Sequence, residues 1–200
     1  LVLNDGALSI DSLNTSTDFG QAYLNLLYSS RDPEDLNLSV DLGFNRVNLV
    51  DFYTAFPQVT EMMPVITNLN GMVGASLTGS FNLFPNMDID MSSLNAMLNI
   101  TGTDLKLSQD PLIRKIAHMM LIRKKGDLNI SDMNIQVSVH DNVMRLYPFA
   151  FSMEKYKFAL LGENDLDQNM YYHLSVLKSP VPWKFGINIK GTFENPKFRF

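Results

Sequence analysis

Alternation of apolar and polar residues dominates this chain. Leu36, Leu38, Val40, Leu42 and Phe44 are apolar, and Asn37, Ser39 and Asp41 between them are polar. Five matches to a period of two predict a strand with one covered face. Val47 and Leu49 carry the pattern on past Asn45-Arg46. Met133, Ile135, Val137 and Val139 alternate in the same way with Asn134, Gln136, Ser138 and His140. Weaker strand signals run over Leu1 to Ile10, turning at Asn4-Asp5-Gly6, then Gln21 to Ser30, Gly71 to Leu83, Leu98 to Leu107 and Leu128 to Ile130. Met144 to Tyr147 predicts a strand ending at Pro148, and Tyr156 to Leu160 one closed by a turn over Gly162 to Asp165. Met170 to Leu177 follows, and Phe185, Ile187, Ile189 and Phe193 make the last strand, with Lys184, Asn188 and Lys190 opposite. Such spacing, with short turns, predicts an antiparallel meander.

The connections carry their own signals. Asp11 to Gly20 is rich in Ser and Thr and predicts a loop. Arg31-Asp32-Pro33-Glu34, Asn82 to Asn86 and Asp141-Asn142 predict turns, and Ser179 to Pro182 a rigid connection. Met87 to Met97 is ambiguous between strand and helical turn. Gly71, Gly74 and Gly79 predict a bulge or sharp bend.

Two stretches change period. Asp110 is a good N-cap, and Pro111 suits the first helical position. Leu112, Ile113, Ile116, Met119 and Met120 then recur at helical spacing. Arg123, Lys124 and Lys125 fall where a last turn would favour cations, and Gly126 where a left-handed residue would close it. The second stretch opens at Asp51, a candidate cap, and carries Phe52, Phe56, Val59, Met63, Ile66 and Leu69. Pro57 and Pro64 split it into two short segments with a proline near each start. The pattern therefore predicts an α+β, mainly β fold: a curved antiparallel sheet with one or two amphipathic helices packed across it. Residues 1–200 read as a single β-rich domain, with a weak strand–helix–strand repetition over 1–97 and 98–200. The opening Leu-Val-Leu-Asn reads as a fragment of a longer protein.

Composition narrows the chemistry. Apolar content is 46%, charged content only 18%, and the net charge is −5, which offers nucleic acid no positive field. The absence of cysteine removes disulfides and thiolate metal sites. His118, His140 and His173 stand apart and form no ligand or catalytic pattern. Asp88 and Asp90 bracket Ile89 but lack the further ligands of a calcium loop. Asn14, Asn37, Asn99 and Asn129 each open an Asn-x-Ser/Thr triplet, which matters only in a eukaryotic secretory protein. Arg114, Lys115 and Arg123 to Lys125 give one helix a basic flank; ordinary surface charge explains it better than a membrane-lying helix. No catalytic, cofactor or metal site is predicted.

The C-terminal half carries a resemblance. Gly126 to Ile135 (Gly-Asp-Leu-Asn-Ile-Ser-Asp-Met-Asn-Ile) follows a helix; Val143-Met144-Arg145-Leu146-Tyr147-Pro148 comes next, then Phe158 to Asp167. The chain closes with Pro180-Val181-Pro182 and Ile189-Lys190-Gly191-Thr192-Phe193-Glu194-Asn195-Pro196-Lys197-Phe198. This succession resembles the C-terminal region of the AsmA family of Gram-negative envelope proteins, over about Val47 to Phe200. The resemblance implies a periplasmic β-rich domain, anchored in the inner membrane by a segment elsewhere in the full-length protein. It also implies a non-enzymatic part in outer-membrane biogenesis, shielding or conveying phospholipid along an apolar β-groove, with no cofactor. Partners would be phospholipid or another envelope lipid, and envelope proteins. The candidate groove lining is Leu38, Val40, Leu42, Ile135, Val137, Ile116 and Met120. The alternative is a structural or protein-interaction module of the envelope with a closed core.

Overall fold

The computed structural model describes residues 2–4, 6–17, 20–32, 35–102, 105–131, 133–180 and 185–200. Among them it is mainly β: one open antiparallel sheet of 15 strands with few helices. In chain order these are β1 (Val2–Asn4), β2 (Ala7–Thr17), β3 (Gly20–Asp32), β4 (Asp35–Asn48), α1 (Leu49–Ala55), α2 (Pro57–Met62), a 3-10 turn (Pro64–Asn68), β5 (Leu69–Asn70), β6 (Met72–Leu83), a second 3-10 turn (Met91–Ser93), β7 (Asn95–Gly102) and β8 (Leu105–Leu107). Then come α3 (Pro111–Met119), β9 (Leu128–Ser131), β10 (Met133–His140), β11 (Val143–Met153), β12 (Tyr156–Asp165), β13 (Asn169–Lys178), β14 (Gly186–Thr192) and β15 (Pro196–Arg199). The main ladder runs β1-β2-β3-β4-β6-β7-β10-β11-β12-β13-β14-β15, and β5, β8 and β9 form a side ladder that rejoins at β11.

Register converts the local alternation into two faces. Leu24, Leu42, Leu77, Leu98, Val137 and Leu146 lie side by side across six strands, and the row continues through Gly162, Tyr172, Ile189 and Phe198. The neighbouring row is Asn25, Asp41, Thr78, Met97, Ser138, Arg145, Glu163, Tyr171, Lys190 and Lys197, almost wholly polar. Successive residues point to opposite faces, so one face is apolar across the sheet and the other polar.

Bulges keep the apolar residues on that face where the sequence changes phase. Phe44 and Val47 are three apart, yet both are buried, because the ladder slips between them around Arg46 at φ 54°. Ser12, at φ 57°, does the same between Ile10 and Leu13 and takes its hydrogen bond from its backbone N–H to Asn25 Oδ1 at 2.7 Å.

Several sequence expectations are corrected. The Ser- and Thr-rich stretch read as a loop is the second half of β2, paired with β3 as far as Thr17↔Gly20. Its side chains from Asp11 to Ser16 are exposed, where hydroxyls need no partner. Gly71 does make the bend before β6, at φ 137°. Gly74 lies opposite the β4 bulge, between Ala75 and Val73, whereas Gly79 sits in regular pairing on both sides. The strand expected to end at Pro148 runs on to Met153. Pro148 falls in a bulge between Leu146 and Phe149, after β10 has left off and before β9 pairs at Ser152, so its missing N–H breaks no ladder on that side. The turn expected over Gly162 to Asp165 is strand as well; the chain reverses at Leu166 to Gln168, with Gln168 at φ 64°. Gly162 is needed inside β12 because a Cβ there would lie 2.3 Å from Cδ1 of the Tyr172 ring. Beyond the strand expected to be last, the chain turns over 193–195 and adds β15. Asp141 and Asn142 both take positive φ, the hairpin turn expected. Asp5, Pro33-Glu34, Val181-Pro182 and Lys184, each part of an expected feature, lie outside the described residues.

The helices start largely as the caps suggest. Asp110 accepts from the Ile113 N–H at 2.7 Å, and Pro111 opens α3. Asn48, not Asp51, caps α1, accepting from the Val50 N–H at 2.9 Å. Asp51 lies in the first turn, where its charge still suits the helix dipole. Three segments, not two, follow, with Pro57 and Pro64 at the starts of the second and third. α3 ends earlier than expected: Leu121 turns left-handed at φ 58°, and the Ile122 N–H reaches back to Ala117 O at 2.9 Å. That Schellman closure stops the helix before Arg123 to Lys125, which are not its last turn. Leu49, Phe52, Ile113 and Ala117 from the helices share one buried cluster with the sheet residues Val47, Val73, Leu128, Val137 and Phe158.

The Gly162–Tyr172 contact gives a direct check. Gly162→Ala should destabilise the domain by about 1–3 kcal/mol by displacing a buried ring, read as a lower urea midpoint. An unchanged midpoint would place the Tyr172 ring elsewhere.

Candidate functional site

The apolar face is covered unevenly. At the end where α1 and α3 leave the sheet, Phe44, Val47, Val73, Ile100 and Met133 are buried. Further along the same strands Leu38, Val40, Leu42, Leu77, Leu98 and Ile135 remain part-exposed. Above them lies an open cavity of about 530 Å³, inside the range of ligand sites. Its floor comes from β4, β6, β7, β10 and β11, and it extends to Met170 and Tyr172 of β13 and Ile189 of β14. Phe52, Phe56 and Val59 of the first helical excursion and Leu112 and Ile116 of α3 also line it.

The wall next to α1 is set by three rings. Phe44 meets Phe52 edge-on with centroids 5.5 Å apart, and Phe56 lies 6.0 Å from Phe44 and 5.1 Å from Phe52. Such contacts add to the gain from burial alone. The other wall is tied to it at the base of α3, where Asn68 Nδ2 donates to Asp110 Oδ2 at 2.9 Å.

No charged side chain lines the cavity among the described residues. Gln58 and Tyr172 alone bring polar side-chain atoms. The Tyr172 hydroxyl donates to Asn164 Oδ1 at 2.6 Å, and burial pushes its pKa up, so it stays neutral. The lining offers apolar contact and almost nothing for a polar or ionic ligand to bond.

Of the residues predicted to line a groove, Leu38, Val40, Leu42, Ile116, Ile135 and Val137 line this cavity. Met120 does not; it is fully buried in the core cluster. The lining from β6 and β7 (Ala75, Leu77, Leu98) and from β13 and β14 was not anticipated. The α1–α2 residues carry a visible apolar pattern, but it fits a closed core equally well.

Among the described residues the polar groups assemble no comparable site. His140 Nε2 lies 3.1 Å from Asp141 Oδ2 and its Nδ1 contacts Asn95 Oδ1 at the start of β7, all three exposed. His173 bridges Asn188 Oδ1 at 2.9 Å and Ser175 Oγ at 2.8 Å on the polar face. That hydrogen-bond order resembles an activated serine, but Ser175 is paired on both sides, so the ladder takes the backbone amides an oxyanion hole would need. No group of His, Asp or Glu that could hold a metal occurs among the described residues. Among them too, no helix is long and apolar enough to cross a membrane.

The basic residues have separate settings. Lys115 lies over the Phe198 ring, 4.6 Å from its centroid. Lys124 pairs with Glu154 at 2.6 Å, and Glu154 also accepts from the Asn129 N–H at 2.8 Å. Gln109 Nε2 donates to Lys124 O at 3.0 Å and to Gly126 O. Lys124 fastens the segment after α3 to the β11–β12 turn, and Gln109 fastens it to the residues before α3.

No family model matches this chain, and no curated protein or solved structure matches it.

Burial alone would raise the Glu154 carboxyl, but the Lys124 ammonium and the Asn129 amide outweigh it, and the net shift is downward. A depressed folded-state pKa adds stability above the ordinary glutamate range that is lost as pH falls through the folded value. Glu154→Gln should therefore cost up to about 1 kcal/mol at neutral pH, with the difference vanishing in acid, read by urea unfolding of both proteins across pH. A difference that persists at acid pH would contradict this coupling.

Proposed function

We propose that this domain is a non-enzymatic lipid-holding module of a Gram-negative envelope protein, in which the apolar face of the sheet is a trough for phospholipid acyl chains. The observation that carries the reading is an open cavity of about 530 Å³ with no charged lining, floored by a continuous apolar row. An ordinary core would bury Leu38, Val40, Leu42 and Leu77 as it buries Val47 and Val73. Sheltering each methylene from water is worth about 0.8 kcal/mol, so the mechanism is passive: acyl chains lie in the trough while head groups stay wet.

Helices laid across a curved sheet complete the trough. Two contacts support that shape. Gln168 Nε2, in the β12–β13 turn, donates to Glu61 O of α2 at 3.2 Å. That contact brings α2 to a turn whose strand lies five strands from β4, where α1 begins, as a sheet rolled toward its apolar face would. Lys115 of α3 over Phe198 of β15 points the same way.

The resemblance to the AsmA family supplies the biological setting: the periplasm, inner-membrane anchoring through another part of the full-length protein, and a part in outer-membrane biogenesis. Phospholipid and envelope proteins are the corresponding partners. The register of the sheet suits that reading, since the apolar row runs across the strands as a groove for a long chain requires.

Mass spectrometry of organic extracts from the purified domain tests the proposal. Stoichiometric phospholipid, lost on delipidation and regained on re-exposure, is expected. Ala96→Trp, which puts a large ring into the trough opposite Gly79 and Val139, should lower bound lipid several-fold without unfolding the domain. A lipid-free wild type that regains nothing would overturn the reading in favour of a closed envelope module that binds protein.

A further inference from the structure

The loop between β6 and β7 extends the trough into solvent. Leu94, Met91 and Ile89 belong to its lining. Beyond them, at the tip, Phe84 is 49% and Met87 56% exposed, with Ile89 at 36%. An apolar series thus leads from the trough floor to an outward point. The point is held in place by hydrogen bonds. The Phe84 N–H donates to Asp88 O at 2.9 Å, the Met87 N–H to Phe84 O at 2.8 Å and the Asp90 N–H to Asn82 O at 2.9 Å.

Folding gives no reason for this choice of residues. Met87 sits at φ 70°, where glycine or asparagine would be less strained. A polar side chain there would be fully hydrated, yet the chain places a thioether in water beside an exposed phenyl ring. Residues 82–94 include no Lys or Arg. Asp90 accepts from the Ser92 N–H at 3.0 Å and hydroxyl at 2.6 Å, and Asp88 accepts from Asn86. The field at the tip is therefore negative, which suits a zwitterionic surface and opposes an anionic one. Three side chains are too few for a stable protein interface, but a small apolar insertion bears on membrane contact.

We infer that this tip is the lip at which the trough meets a zwitterionic phospholipid surface. Phe84 and Met87 dip among the acyl chains, and Ile89 and Met91 pass a chain inward to Leu94. This rests on the reading of the trough as an acyl-chain site, and the test separates the two. The full chain and its Phe84→Ser/Met87→Ser variant are compared in three assays: flotation with phosphatidylcholine vesicles, the rate at which each extracts fluorescent phosphatidylcholine from them, and binding of monomeric lysophosphatidylcholine in solution. Both residues are exposed, so the variant should melt as the wild type does. The inference expects flotation to fall and extraction to slow by about tenfold or more, since two apolar side chains lose their burial in hydrocarbon. Monomer binding should be unchanged, and added anionic lipid should weaken flotation of the wild type. Unchanged flotation and extraction in the variant would overturn the lip while leaving the trough. Flotation lost in the variant, with a wild type that binds no monomer, would uphold the surface contact and overturn the trough. Flotation strengthened by anionic lipid would overturn the stated surface.

Discussion

Strand register is the constraint on which the rest of this structure depends. A slip of one residue anywhere between β4 and β11 would exchange Leu42, Leu77, Leu98 and Val137 for Asp41, Thr78, Met97 and Ser138. The two rows are so unlike that only one register buries hydrocarbon and wets the amides and carboxylates. Each phase change in the sequence is therefore met by a bulge, at Ser12, at Arg46 and around Pro148, that returns the apolar side chains to the same face. The sheet tolerates local irregularity to preserve a global polarity.

That polarity creates a surface whose side chains are buried unevenly. Both helical excursions, between β4 and β5 and between β8 and β9, leave from the same end of the strands, and the pairing of Leu69 with Leu107 ties them together there. Side chains at that end are buried; Leu38, Val40 and Leu42 of β4, Leu77 of β6 and Leu98 of β7 are less covered. The Phe44–Phe52–Phe56 group and the Asp110–Asn68 contact hold the two excursions at that end. Our proposal for function follows from this unevenness, with the lip over 84–94 at the uncovered side.

Much of the sheet was legible because strand alternation is a local signal. Leu36 to Phe44 and Met133 to Val139 announce their strands, and Asp110-Pro111 announces α3. What was not legible depends on residues far apart in sequence. Gly162 and Pro148 look like strand breakers; one is required by the ring of Tyr172, and the other lies where a neighbouring strand is missing. The end of α3 was hidden because Leu121 takes the left-handed position that closes it; Gly126 is left-handed too, at φ 79°, but lies further along the chain. The alternation identified which residues share a face with Leu38, Val40 and Leu42. It could not identify which of them the helices leave open, and Met120, on an apolar helix face, is sealed in the core.

The most direct test of the central claim, that acyl chains occupy the uncovered part of the apolar face, is methyl NMR with a fatty acid carrying a nitroxide at mid-chain. The account predicts selective broadening of the methyl signals of Leu38, Leu42, Leu77 and Leu98, with little effect on Val47 and Val73 in the covered core or on Leu27 and Leu161 of the opposite face. Broadening confined to Leu27 and Leu161, or spread over all exposed methyls alike, would contradict it.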